Sequence, residues 1–147
     1  MKEVRINRAA SRELLMRVIF AGGDLNSGNF PDFDAADPKH RLFPKNGKTS
    51  PDMDYIEEVL RILKEHGEKI DAVIDGASDK WSISRMGKPD LSVLRLAAAE
   101  ILYIDGISDA VAISEAVYLA EKYGTGNSKS FVNGVLGKIS RDNKAVK

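Results

Sequence analysis

The segment Gly124–Lys138, GTGNSKSFVNGVLGK, gathers glycines, hydroxyl groups and a lysine, as loops that bind nucleotide phosphates do. A phosphate loop of the GxxxxGK[ST] type needs a glycine directly before the lysine, and a buried strand before the loop. Here Ser128 precedes Lys129, and the earlier residues AISEAVYLAEKY repeat their apolar side chains at helical spacing. The segment therefore predicts one helix that ends at Gly124 with a left-handed cap, and a second that is capped by Ser128. A helix start beside Lys129 attracts anions.

Residues that carry catalysis or bind metals are sparse. The sequence has two histidines and no cysteine, which excludes thiolate metal sites and cysteine nucleophiles. The stretch Asp32–Pro38, DFDAADP, has the acids of a calcium loop but lacks its central glycine and its distal glutamate. No nucleophile elbow is present. We therefore expect no enzyme, no catalytic residue, no metal and no cofactor.

Three arginines near the start have the spacing of one helix face. Arg5, Arg8 and Arg12 fall within about 60° of one another if the helix reaches back to Arg5. They predict a cationic stripe beside the apolar arc, and Lys2 adds to it. The planar guanidinium group donates to two phosphate oxygens at once and stacks on unpaired bases. Spacing alone leaves two interpretations open, a phosphate-binding surface and an ordinary solvated face.

The composition sets limits on the whole chain. Its 147 residues predict a single domain over residues 1–147, and Lys plus Arg and Asp plus Glu both total 22. With no net charge, a surface for nucleic acid must arise from local asymmetry. The first 20 residues scatter charges among apolar side chains, and no apolar run approaches the ~18 residues of a membrane span. We expect a soluble cytoplasmic protein.

The first third of the chain predicts one helix and one long loop. A helix from about Asn7 to Phe20 places one apolar arc toward a core: Ser11, Leu14, Leu15, Val18 and Ile19. Residues 24–50 are dense in Pro, Gly, Asn and Asp and have no sustained period, which predicts a long irregular loop. Ser50, as cap, and Pro51 then start a helix that runs to Gly67, and a shorter apolar pattern continues to Gly76.

The remaining segments predict helices around a central one. Pro89 opens DLSVLRLAAAEILYI, which is apolar on most of its circumference. Ser108 caps the next helix, and the last one contains Gly134 and Gly137, for which we expect close backbone packing. No segment alternates as a strand does. The fold class is therefore all-α, a compact bundle of about six to seven helices in two small antiparallel subdomains.

Several stretches together resemble the NusB family of transcription antitermination factors. They are RAASRELLMRVIF, Trp81 with Arg85 in WSISR, LSVLRLAAAEIL, ISEAVYLAEKYG and SKSFVNGVLGKI, in that order. The resemblance implies an all-α fold and a protein that pairs with NusE, a small-subunit ribosomal protein. It also implies binding to boxA-type single-stranded RNA, with other Nus factors and RNA polymerase as indirect partners. Such a complex suppresses premature termination, notably in ribosomal RNA operons, and involves no membrane.

The resemblance also implies roles for particular residues. Arg8 and Arg12 match basic positions of the RNA-binding first helix. Phe20 and Asp90 match an aromatic residue and an acid that lie toward the protein partner. With Lys2 and Arg5 of the stripe and the helix start of the opening segment, the expected RNA-binding set is Lys2, Arg5, Arg8, Arg12, Ser128 and Lys129.

Two departures from the family pattern leave an alternative open. Where the family often has a continuous arginine run, this chain reads Arg8-Ala9-Ala10, and residues 24–50 do not resemble the family's second helix. The alternative is a protein–protein adaptor of the same fold without significant RNA binding. If RNA is bound, cations of the 24–50 segment are candidates for the missing charge: Lys39, His40, Arg41, Lys45 and Lys48.

Overall fold

The structure, a computed structural model, describes residues 5–22, 33–45, 47–79 and 81–146. Its elements are β1 (Arg5–Ile6), α1 (Arg8–Ala21), α2 (Phe33–Ala36), β2 (Thr49–Ser50), α3 (Met53–Ala77), a 3₁₀ turn (Ile83–Arg85), α4 (Lys88–Tyr103), α5 (Asp109–Tyr123) and α6 (Ser128–Val146). The predicted all-α class is confirmed. The predicted count and subdomains are not matched, because the described residues form five long helices and a four-residue one around one apolar core.

The first helix begins where the sequence predicts. The side chain of Asn7 accepts a hydrogen bond from the Ala10 N–H at 3.0 Å and caps α1. The predicted apolar arc is buried throughout. The Ser11 hydroxyl accepts from the Asp52 N–H at 2.8 Å, which ties α1 to the start of α3.

The second long helix differs from its prediction at both ends. Asp52, not Ser50, is the cap, and its carboxylate accepts from the Tyr55 N–H at 3.2 Å. The helix does not stop at Gly67 but continues to Ala77. A glycine costs a helix only about 1 kcal/mol, and burial of Ile70 and Ile74 beyond it favours continuation.

The helix that begins beside Pro89 is central, as predicted. Gly87 precedes α4, and Pro89 lies in its first turn, where the missing N–H costs no helical hydrogen bond. This helix contacts α1, α3, α5 and α6. None of the described helices is long and apolar enough to cross a membrane.

The 24–50 segment is more ordered than predicted where the structure describes it. Residues 24–32 lie outside the described part, α2 occupies Phe33–Ala36, and β2 pairs in parallel with β1. The pairing is two residues long, and Asn7 N–H then donates to the Ser50 carbonyl at 3.4 Å. This contact places the segment beside the start of α1.

The connection between α5 and α6 corrects two predictions. Gly124 has a φ of −95°, so it is not a left-handed cap. Ser128 begins α6 instead of capping it, and its hydroxyl accepts from the Thr125 N–H at 2.9 Å. A side chain at Gly124 would lie 2.8 Å from the Ala120 carbonyl oxygen and against Ser128. Close approach, not backbone conformation, requires this glycine.

Gly124→Ala is expected to lower the stability of the protein. The added methyl group forces Ser128 and the α5 backbone apart, and overpacking of this kind costs about 1–3 kcal/mol. Urea unfolding followed by circular dichroism measures the loss.

Gly134→Ala is the matched control, and it also corrects the expectation of close packing there. Nothing lies within 4 Å of a side chain built at Gly134. Alanine in a helix interior should therefore raise stability by up to about 1 kcal/mol. Equal losses from the two substitutions would contradict the packing described at Gly124.

Candidate nucleic-acid interface

The first turn of α1 holds Arg8 against the start of α3. The Arg8 Nε donates to Asp52 Oδ2 at 2.9 Å, and its guanidinium carbon lies 4.9 Å from the centre of the Tyr55 ring. Burial raises the pKa of the Asp52 carboxyl, but hydrogen bonds from Arg8 and from the Tyr55 N–H outweigh that effect and leave the pKa below its ordinary value. The Arg8 side chain is 45% exposed, so its outer face remains open to a phosphate.

Arg12 lies inside the core, so the exposed position predicted for it is wrong. The residue is 4% exposed, and its Nε lies 3.1 Å from both carboxylate oxygens of Glu100. The Tyr55 hydroxyl donates to Glu100 Oε2 at 2.8 Å. Burial first, and then the Glu100 charge, raise the pKa of Tyr55, which therefore keeps its proton for this bond.

The Arg12–Glu100–Tyr55 triad has one signal in the sequence. Glu100 is the single acid in the otherwise largely apolar stretch LSVLRLAAAEILYI. A buried carboxylate requires a partner, but the spacing of α1 residues does not identify which arginine supplies it.

A second cluster, which sequence reasoning missed, joins α1 to the end of α5. We call it the Glu13 cluster: Glu13, Arg17, Lys122 and Tyr123. Glu13 Oε2 accepts from Lys122 Nζ at 2.6 Å, from the Tyr123 hydroxyl at 2.6 Å and from Arg17 at 3.4 Å. The hydrogen bond to Glu13 raises the pKa of Lys122, and burial together with that carboxylate raises the pKa of Tyr123. Lys122 stays charged, with 44% of its side chain exposed.

An open groove of about 610 Å³ lies between the first half of α1 and α5. We call it the α1–α5 groove. Tyr118 is 54% exposed on its rim. The lining residues are Asn7, Ala9, Ala10, Glu13, Leu42, Ser114, Glu115, Tyr118 and Lys122.

The segment after α2 borders this groove through Leu42. Buried Asp37 fixes the segment, because its carboxylate accepts from the N–H groups of Arg41 at 3.1 Å and Leu42 at 3.0 Å. Arg17 donates to the Ala36 carbonyl at 3.3 Å and so ties the segment to α1. The exposed cations of this segment are Lys39, Arg41, Lys45 and Lys48. Arg41 is the one of these cations that is next to the lining residue Leu42 in the chain.

The remaining predicted RNA-contact residues have different environments. Ser128 is 2% exposed, whereas 60% of the Lys129 side chain is exposed, with its Nζ 3.9 Å from Glu121 Oε2. Arg5 contributes its backbone to β1, and nothing is described of its side chain. Lys2 lies outside the described residues. Lys129 is thus the cation exposed at the start of α6.

The two residues predicted to face a protein partner are both near the start of α4: Asp90 lies in its first turn, and Phe20 lines a cavity with Pro89. Phe20 is 42% exposed, has Lys88 Nζ at 5.6 Å from its ring centre, and borders an apolar cavity of about 430 Å³ that Pro89 also lines. Asp90 lines another cavity, of about 200 Å³, together with Ser128. Asp90 Oδ1 is buried and has no hydrogen-bond partner among the described residues.

Comparison with known proteins gives one consistent result. The model of the NusB family matches residues 8–141. The transcription antitermination protein NusB of Clostridium botulinum (strain Loch Maree / Type A3) is 34% identical over 140 residues, which cover 91% of this chain and 99% of that protein. NusB of Clostridium acetobutylicum is 38% identical over 134 residues, with coverage of 91% and 95%.

Solved structures agree with the sequence relatives. T. maritima NusB has a TM-score of 0.73 and 29% identity, covering 94% of this chain and 93% of that one. A chain from a crystal structure of antitermination factors NusB and NusE in complex with dsRNA has a TM-score of 0.69 and 23% identity, with coverage of 91% and 96%. The similarity to this second structure shows a shared fold and nothing about function.

Arg12→Ala is expected to destabilise the protein strongly. It leaves the Glu100 carboxylate buried without its cation, and breaking a buried pair costs about 3–5 kcal/mol. Arg8→Ala is the control, since its pair is partly exposed and a loss of about 1 kcal/mol or less is expected. Urea midpoints compare the two variants, and similar losses would contradict the buried role of Arg12.

The Asp52 carboxyl predicts a pH dependence of stability. Its pKa is lower in the folded chain than the value of about 3.9 expected when unfolded. The stabilisation is therefore present above about pH 4 and is lost as the pH falls through the folded-state pKa. Urea unfolding at several pH values should show the advantage of the parent over Asp52→Asn shrinking on acidification. If the difference in stability between the parent and Asp52→Asn did not change with pH, the stabilising role of the ionised Asp52 carboxylate would be contradicted.

Proposed function

The chain belongs to the NusB family, and on that premise we propose that it is an RNA-binding transcription antitermination factor. It pairs with NusE and binds boxA-type nascent RNA, and the complex suppresses premature termination, notably in ribosomal RNA operons. Other Nus factors and RNA polymerase are its indirect partners. It works in the cytoplasm, by binding and not by catalysis.

The observation that carries this proposal is the extent of the family likeness. The C. botulinum relative matches 91% of this chain and 99% of its own length, so the likeness is not confined to one motif. The half-exposed Lys122 of the α1–α5 groove and the exposed cations of the segment after α2 add physical support, because single-stranded RNA is bound largely through its phosphates.

Burial divides the expected RNA-contact residues into two groups. Arg8 and Lys129 have exposed side chains and are proposed to contact phosphates directly. Lys2 and Arg5 stay in the proposal as further contacts. Arg12 and Ser128 are buried, and we propose that they position α1 and the start of α6.

The protein partner is proposed to bind around the start of α4. The exposed ring of Phe20 and the apolar cavity beside it suit an apolar side chain of NusE. Asp90 supplies a carboxylate oxygen without a partner among the described residues, and a cationic or hydroxyl group of the partner would satisfy it.

One observation favours the second candidate, an adaptor of the same fold without significant RNA binding. Arg8 and Arg12 both meet carboxylates of this chain, Asp52 and Glu100. These contacts reduce the positive potential of α1, which also has Ala9 and Ala10 where an arginine run is common in the family.

Fluorescence anisotropy of a labelled boxA-type RNA, with and without NusE, tests the proposal. We expect NusE to tighten binding. We also expect the logarithm of affinity to fall against the logarithm of salt concentration with a slope of at least about −1.4 in magnitude, because Arg8 and Lys129 contribute about −0.7 each, and of about −2.8 when Lys2 and Arg5 also contact phosphates. No binding in any mixture, with NusE still bound, would leave the adaptor as the function.

The contribution of the segment after α2 is tested in the same assay. Alanine at Lys39, His40, Arg41, Lys45 and Lys48 together should weaken RNA binding and make the salt slope shallower, while binding of NusE alone is unchanged. RNA affinity equal to that of the parent would exclude this segment as the source of charge.

A further inference from the structure

Tyr118 is an exposed aromatic residue that no family expectation used. It is 54% exposed, more than any other large hydrophobic side chain described. Its surroundings are polar and charged, with Glu115 and Lys122 on the same helix and Ser114 nearby in the same groove. Exposure of a single aromatic ring does not by itself indicate a binding site. The relevant observation is that the ring of Tyr118 lines the α1–α5 groove.

The opposite wall of the groove has small side chains, with Glu13 of α1 as its one charged lining residue. Ala9 and Ala10 line it from α1, and Leu42 lines it from the segment after α2. Longer side chains at the two alanine positions would fill the space. The groove volume of about 610 Å³ lies within the range of ~300–1,000 Å³ that is typical of ligand sites.

Charge and hydrogen-bonding groups indicate the kind of occupant. Lys122 lines the groove and is held there by the Glu13 cluster, and exposed Arg41 is the chain neighbour of the lining residue Leu42. Glu115 is the other acid of the lining besides Glu13. The side-chain oxygen of Asn7 accepts from the Ala10 N–H, and its amide N–H₂ group has no hydrogen-bond partner among the described residues. An aromatic ring, an apolar floor, amide and hydroxyl groups and bordering cations are the combination that binds single-stranded nucleic acid.

We propose that Tyr118 is a stacking platform for an unpaired base of the bound RNA, which enters the α1–α5 groove over Ala9 and Ala10 while its phosphates face the bordering cations. This inference rests on the proposed RNA-binding function. The small side chains of Ala9 and Ala10, which replace part of an arginine run, then leave room for a base in the groove. Stacking of a base on Tyr118 then contributes the binding energy that a more basic helix would gain from contacts between arginines and phosphates.

The test measures affinity of the full chain, with NusE, for boxA-type RNA across a salt series. Tyr118→Ala should weaken binding about 5- to 100-fold, as the loss of one stacked base does. The salt slope should stay that of the parent, since no phosphate contact is removed. Tyr118→Phe should bind within about twofold of the parent. An RNA carrying 2-aminopurine at each position in turn should show one site whose quenching is lost in Tyr118→Ala.

Val111→Ala is the matched control, because Val111 is 47% exposed on the same helix and does not line the groove. It should leave RNA affinity unchanged. If the parent binds RNA and Tyr118→Ala binds equally well, the platform is wrong and the proposed function stands. If Tyr118→Ala weakens NusE binding in the absence of RNA, the groove holds protein and the platform is again wrong. If the parent binds no RNA at all, the proposed function fails as well.

Discussion

A buried charge pair fixes the helix on which the proposed RNA surface depends. Arg12 and Glu100 meet with a guanidinium–carboxylate distance of 2.9 Å and side chains only 5% and 1% exposed, and Tyr55 of α3 completes the contact. Neither charge is stable in the core without the other. The pair therefore fixes the position and the rotation of α1 relative to α4. This orientation determines which residues of α1 face the solvent.

Three arginines of α1 form ion pairs with carboxylates of the same chain, which reduces the positive charge of this helix. Asp52 meets Arg8, Glu100 meets Arg12 and Glu13 meets Arg17. Apart from the exposed outer face of Arg8, the exposed cations therefore lie beyond α1, on the segment after α2 and at the start of α6. The α1 helix thus lines the α1–α5 groove, and the segment after α2 and the start of α6 carry much of the exposed positive charge.

Local signals in the sequence determine most helix starts, and long-range contacts determine the rest. The Asn7–Phe20 helix, the start of α4 beside Pro89 and the Ser108 cap were predictable, because a capping group or a proline lies within one turn of each. The burial of Arg12 was not, since its partner is 88 residues away and periodicity cannot distinguish the edge of an apolar arc from its interior. Continuation of α3 through Gly67 likewise depends on tertiary burial, which outweighs a weak local preference.

Hydrogen exchange of the Arg12 side chain tests whether Arg12 remains buried against Glu100 when RNA binds. Proton NMR of the Nε–H group, with and without boxA-type RNA and NusE, reports whether this guanidinium leaves the core when RNA binds. We expect slow exchange and an unchanged Arg12 resonance in both states, with shifts confined to exposed groups such as Arg8 and Lys129. Fast exchange in the free protein would show that Arg12 is not buried with Glu100, and a large shift of its resonance on RNA binding would show that its core contact changes when RNA binds. Either result would contradict the structural role assigned to Arg12.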